Sequence, residues 1–175
     1  MEKKYILSLD GGGVRTLASI TFLKLLEKET DIKVHEKFDF FVGTSAGAIS
    51  CLALAVKKSS SRELEGMWGT PNLRRIMRTS SWDRRLGLLQ SKPKYSSYGK
   101  RRVLKNYFGS STLGDAVKPV AVLSYDIQSR SPVLFKSYAE QDKSFSLIDV
   151  GDATSAAPIY YPTAKVGDRY LIDGA

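Results

Sequence analysis

The chain has 175 residues, 42% of them hydrophobic, and a net charge of +9 from 27 basic and 18 acidic side chains. This length and apolar content suit one domain with a full core, and no apolar run is long enough to span a bilayer. Cys51 is the single cysteine and His35 the single histidine, which excludes an intramolecular disulfide and a zinc-type cluster.

Met1-Glu2-Lys3-Lys4 leads directly into the strand pattern Tyr5 to Leu9, without the long apolar stretch of a secretory signal. The expected setting is therefore cytoplasmic, with secretion lacking a cleaved signal left open. After that strand come the loop Asp10-Gly11-Gly12-Gly13-Val14-Arg15 and a helix over Leu17 to Glu29. In this helix Ile20, Leu23 and Leu26 follow helical spacing, and Phe22 and Leu25 widen the apolar face. A second unit repeats the order: strand Phe38 to Val42, turn Gly43-Thr44-Ser45-Ala46-Gly47, and a helix over Ala46 to Val56 that is apolar nearly all round. Cys51 within it reads as a small core residue. Two strand–loop–helix units in succession predict an α/β fold with a parallel sheet and crossover helices.

Residues 57–118 differ in character. They carry fifteen Lys/Arg and four Asp/Glu, while the rest of the chain is close to neutral. Gly and Pro interrupt this segment, and short helices are expected at Leu73 to Met77 and Arg101 to Phe108. Further strands are predicted at Val120 to Tyr125, Val133 to Lys136 and Tyr170 to Ile172. The run Ala153 to Pro158 reads as a small-residue helix stopped by its proline.

Three motifs fall at predicted C-terminal strand ends, where active sites of open α/β sheets gather. The first is G-x-S-x-G around Ser45, whose strand–turn–helix setting is that of a nucleophile elbow. Its Gly43 and Gly47 permit the tight turn and the close approach of strand and helix. The second is Asp173, at the end of the last strand, which could take the proton of Ser45. The third is Gly11, Gly12 and Gly13, whose unobstructed N–H groups could form a donor nest for an oxyanion. His35 precedes the Phe38 strand whereas Ser45 follows it. At about 3.3 Å per residue the two lie at opposite sheet edges, which leaves a Ser–Asp pair rather than a triad. Asp173-Gly174 read alone is a common turn dipeptide. Asp10 and Arg15 form either a loop ion pair or substrate contacts. The triple-glycine loop lacks the third glycine of a dinucleotide fingerprint, having Thr16 there, and no G-K-[ST] follows.

Asp10-Gly11-Gly12-Gly13-Val14-Arg15, Gly43-Thr44-Ser45-Ala46-Gly47, the block Ala153 to Pro162 and Asp173-Gly174-Ala175 together resemble the patatin-like phospholipases, in the family's order. The resemblance implies a three-layer α/β/α sandwich with a mainly parallel central sheet and a Ser45–Asp173 dyad. It further implies an oxyanion hole at Gly11–Gly13. The implied activity is cofactor-free and metal-independent hydrolysis of acyl esters in membrane phospholipids through an acyl-enzyme. A protein activator is left open as a further partner. Two departures accompany it. Thr16 stands where the family usually has glycine, and the sequence stops two residues after Asp173, where family members commonly continue. Residues 1–175 accordingly read as one catalytic domain cut short after the acid. A catalytically inactive or activator-dependent membrane-surface module of the same fold is the alternative.

Within residues 57–118 the basic side chains interleave with Met67, Trp68, Met77, Trp82, Leu86, Leu88, Leu89, Tyr95 and Tyr98. Aromatic rings beside Lys and Arg suit the headgroup layer of an anionic membrane, so the segment is expected to be a docking cap that feeds lipid to Ser45. The competing expectation is an insertion whose aromatics pack on the domain. No nucleic-acid module accompanies the charge, and nucleic acid is not an expected partner.

Overall fold

The computed structural model describes residues 3–78 and 93–175. Strand β1 (Ile6–Leu9), helix α1 (Thr16–Thr30), a short helix α2 (Val34–Lys37), strand β2 (Phe40–Thr44) and helix α3 (Ser45–Lys57) form the two predicted units. β1 and β2 run parallel from Ile6↔Phe40 to Leu9↔Gly43, and β2 runs parallel to β3 (Val120–Asp126) from Phe41↔Val120 to Thr44↔Leu123. β4 (Ser131–Lys136) folds back along β3 as an antiparallel hairpin partner. β5 (Ala164–Val166) and β6 (Arg169–Asp173) form a second hairpin, and β6 joins β3 antiparallel at Ser124–Asp126. Four strands therefore share one direction, and β4 and β6 oppose them.

β6 arrives at the site by a route the sequence did not suggest. β4 pairs with β3 from Ala121 to Asp126 and so occupies one edge of it. β2 and β6 must then share the other edge, β2 beside residues 120–123 and β6 beside residues 124–126. Because they run in opposite directions, their C-terminal ends meet there. Asp173 thus reaches Ser45 even though its strand is antiparallel, since β6 overlaps only the last three residues of β3.

Helix α3 is the centre of the core. Every residue from Ser45 to Ala55 is buried, as its all-round apolar pattern requires. Cys51 is fully buried, donates to the Val42 carbonyl, and has its thiol pushed up in pKa by that burial, consistent with a core role. α7 (Leu147–Thr154) packs on α3, α6 (Ser97–Phe108) on α7, α5 (Thr70–Ile76) on α6, and α4 (Ser61–Met67) on α1. α4 begins at a capping box in which the Ser60 hydroxyl and the Glu63 backbone and side chain satisfy one another. The Glu27 carboxylate on α1 accepts from Val34 N–H and Ser61 N–H, so one acid holds the first turns of α2 and α4.

Several expectations need correction. Phe22 and Leu25 do not widen the buried face of α1; they are 64% and 53% exposed, while Ile20 and Leu23 are buried. The small-residue helix lies earlier than predicted. Ser146 caps α7 by accepting from Ile148 N–H, and the helix ends at Thr154, before Pro158. His35 is half-buried on α2 and lies away from Ser45, on the strand entry side as predicted. Much of the basic segment belongs to the main core: Leu64, Met67, Trp68, Leu104, Phe108 and Leu113 are all buried. Trp82, Leu86, Leu88 and Leu89 lie outside the described residues. Among the described residues no helix is long and apolar enough to cross a membrane.

Candidate active site

Ser45 sits on the turn from β2 into α3 with φ of +53°, a left-handed backbone that costs a non-glycine residue about 1–3 kcal/mol. Close packing holds it there. A Cβ on Gly47 would lie 2.2 Å from the Leu9 carbonyl oxygen, and one on Gly43 would lie 2.7 Å from the same atom. Only glycines let α3 pass this closely over the end of β1. The Ser45 N–H donates to Thr154 Oγ1 at 2.9 Å, and the Thr154 hydroxyl in turn donates to the Leu123 carbonyl. The strained turn is thus tied to both α7 and β3.

Ser45 Oγ donates a hydrogen bond of 2.8 Å to Asp173 Oδ2. Both residues are buried. The Asp173 N–H donates to the Ala156 carbonyl, and Asp173 Oδ1 accepts from Ala175 N–H, which fixes the carboxylate plane. Burial pushes the Asp173 carboxyl above its ordinary range. The Ser45 hydroxyl, the Ala175 and Gly174 N–H groups and the Lys100 charge oppose that rise without cancelling it.

The triple-glycine loop stands directly against this pair. A Cβ on Gly11 would lie 2.8 Å from Ser45 Cβ, and Gly12 and Gly13 both have positive φ and line the cavity in front of Ser45. Among the described residues no ion pair joins Asp10 to Arg15; Arg15 is exposed and lines the same cavity. The cavity measures about 460 Å³ and is walled mainly by apolar side chains, among them Ile49, Met67, Trp68, Leu73, Val103 and Leu104. Met67 and Trp68 therefore face the cavity and core rather than solvent. The Trp68 indole N–H donates to Ser50 Oγ at 3.0 Å, which settles its polar edge.

Two site residues escaped the sequence reading. Thr154 lies inside the Ala153–Pro162 block, so its neighbourhood was flagged but not its role. Lys100 gave no signal, since in the run Gly99-Lys100-Arg101-Arg102 it looks like one more solvated cation. It is 3% exposed, lines the cavity, and donates to the carbonyls of Asp152 and Ser155 at 3.0 Å each.

Comparison with known proteins agrees with this architecture. The family model described as patatin-like phospholipase matches residues 7–175. A cGAMP-activated phospholipase of Pseudomonas aeruginosa is 32% identical over 97% of this chain and 52% of its own length. Another of that name from Escherichia coli is 32% identical over 97% of this chain and 51% of its own. The chain thus spans about half the length of the curated relatives it matches. In fold it is similar to the crystal structure of VipD from Legionella pneumophila, with a TM-score of 0.68 at 14% identity, covering 99% of this chain and 46% of that one. With an elbow serine, a facing aspartate and a glycine loop set in a fold matched over nearly its full length, this chain belongs to the patatin-like phospholipase family.

Proposed function

We propose that this chain is the acyl-hydrolase part of a lipase that cleaves acyl esters of membrane phospholipids, with Ser45 as nucleophile and Asp173 as its base. The observation that carries the reading is the 2.8 Å bond from Ser45 Oγ to Asp173 Oδ2 on the wall of a largely apolar cavity. As Ser45 Oγ attacks the ester carbonyl, its proton passes to Asp173. The carbonyl oxygen gains charge and is received by N–H groups of the Gly11–Gly13 loop. Each such donor is worth about 2.7–4 kcal/mol of barrier. The apolar walls take the acyl chain, and the leaving alcohol recovers the proton. Water, activated by the same carboxylate, then releases the fatty acid from Ser45.

The substrate surface follows from charge and exposure. Val14, Met77 and Tyr160 line the cavity and are 44%, 39% and 48% exposed, and Ile159 beside them is 79% exposed. This apolar rim and the exposed basic side chains next in sequence to the lining residues, Arg74, Arg75, Arg78 and Lys94, form the proposed docking face for an anionic leaflet, and the association is peripheral. Arg15, free of Asp10 and at the cavity, is placed to meet the lipid phosphate. Because two relatives are named as cGAMP-activated, an activator belongs to the proposal.

The test is fatty-acid release from anionic phospholipid vesicles in excess chelator, with and without cGAMP, for this chain and for Ser45→Ala. Release that disappears in the variant is expected. Equal release by both proteins would overturn the assignment, and vesicle binding without release under every condition would favour the non-catalytic module.

A further inference from the structure

Lys100 is buried deep in the molecule. Moving an ammonium out of water is expensive, and an apolar side chain at this inward position of α6 would avoid that cost. Its surroundings show what its charge could do. Lys100 Nζ lies 3.0 Å from Asp152 Oδ1, donates to the Asp152 and Ser155 carbonyls, and stands 4.2 Å from the centre of the Tyr161 ring. Asp152 and Ser155 belong to the segment 152–156, which also contains Thr154, the acceptor for Ser45 N–H, and Ala156, the acceptor for Asp173 N–H. One ammonium therefore pins the short stretch of chain from which both halves of the dyad are hung.

We propose that Lys100 is a positioning residue for the Ser45–Asp173 pair, fixing segment 152–156 beneath it and setting a buried positive charge in the wall of the same cavity that Asp173 lines. This rests on the dyad reading above. Among the described residues the charged groups around it are few. Asp152 faces it from α7, and Asp173 from β6 interacts with it electrostatically. Arg101, next along α6, opposes it but is held by Asp149 at 2.7 Å and Asp152 at 3.1 Å. From α5, which packs on α6, Arg75 turns to Asn72 Oδ1 and Arg74 is exposed. Tyr161 covers the ammonium with its ring, and burial pushes its phenol up and keeps it neutral. Burial pulls the Lys100 ammonium down from its ordinary value while Asp152 supports it; the same charge holds the Asp173 carboxyl lower than burial alone would leave it.

A merely structural lysine and this one differ in pH behaviour. The rate of Ser45 phosphonylation by an alkyl fluorophosphonate, followed against pH, reports serine activation without knowledge of the natural lipid. Labelling of the wild type that is absent in Ser45→Ala establishes the dyad serine; if it fails, the functional reading fails, whatever Lys100 does. Lys100→Gln keeps a donor for the two carbonyls and removes the charge. Its acidic limb is expected at higher pH, so that the loss of rate is roughly threefold or more greater at the acid end than on the plateau. Lys100→Arg keeps the charge, and its limb is expected to stay with the wild type even if its plateau falls. A Gln profile that superimposes on the wild type after scaling would overturn the proposal, as would an Arg limb displaced as far as the Gln limb. Circular dichroism checks folding of each variant. If Lys100→Gln unfolds, Lys100→Met, whose stem follows the same apolar path, is read in its place.

Discussion

At the residue scale the site combines a strained serine with an uncomfortable aspartate. Burial raises the Asp173 carboxyl in the folded chain relative to the unfolded one. Between those two values the native state binds more protons, so the contribution of Asp173 to stability is present at acid pH and is lost as pH rises through the folded value. The proposed base must be ionised to act, which places the acidic limb of activity above the usual carboxylate range. Asp173→Asn is accordingly expected to abolish hydrolysis while raising the melting temperature by about 2–4 °C at pH 7. That gain should shrink toward acid pH, where the native carboxyl is neutral. Thermal melts of both proteins across pH check it, and an Asn variant less stable at neutral pH would contradict it.

At the element scale, packing rather than propensity decides the cost of change. Gly47→Ala forces a Cβ into the Leu9 and Asp10 carbonyl oxygens, at 2.2 Å and 2.5 Å. Neither atom can move without displacing the end of β1, so a loss of about 3 kcal/mol or more is expected in denaturant unfolding. Gly66, inside α4, would meet nothing within 4 Å. Gly66→Ala should therefore stabilise the protein by about 0.5–1 kcal/mol through helix propensity alone. Ser60→Ala removes the reciprocal cap of α4 and should cost about 1 kcal/mol. Since α4 carries Met67 to the cavity wall, the same variant should also weaken turnover of long-chain esters more than of short ones. Helix α4 has no counterpart among the predicted elements, because glycine in this segment reads as an interruption, although Ser60 and Glu63 have the spacing of a capping box. β5 was missed because three residues carry too little pattern to separate a strand from a loop.

At the scale of the whole molecule, the charge of +9 is concentrated in residues 57–118, and the candidate mouth lies among apolar exposed side chains. Attraction to an anionic leaflet of about 1 kcal/mol per basic residue near the surface is screened within a Debye length of about 8 Å at physiological salt. Co-sedimentation with anionic vesicles should therefore fall steeply between low and high salt, and binding to neutral vesicles should be weak throughout. Equal binding to both vesicle types at low salt would exclude charge as the basis of docking. The described structure also divides the work of this segment, with Met67 and Trp68 turned inward and Met77 at the rim.

Local chemistry was enough to fix Ser45 as the candidate nucleophile, because a G-x-S-x-G turn between an apolar strand and an apolar helix is itself a geometric statement. The position of His35 before β2 was likewise enough to remove it from the site, since strand length sets a distance that no folding detail can undo. The apolar circumference of α3 marked it as the core helix. The sequence could not show that β2 and β6 meet end to end along one edge of β3, because strand pairing across such separations leaves no local trace. That pairing, not the direction of β6, brings Asp173 within 2.8 Å of Ser45. The burial of Lys100 was hidden for the same reason: the run Lys100-Arg101-Arg102 reads as solvated, and only the packing of α6 against α7 decides which of its charges is taken out of water.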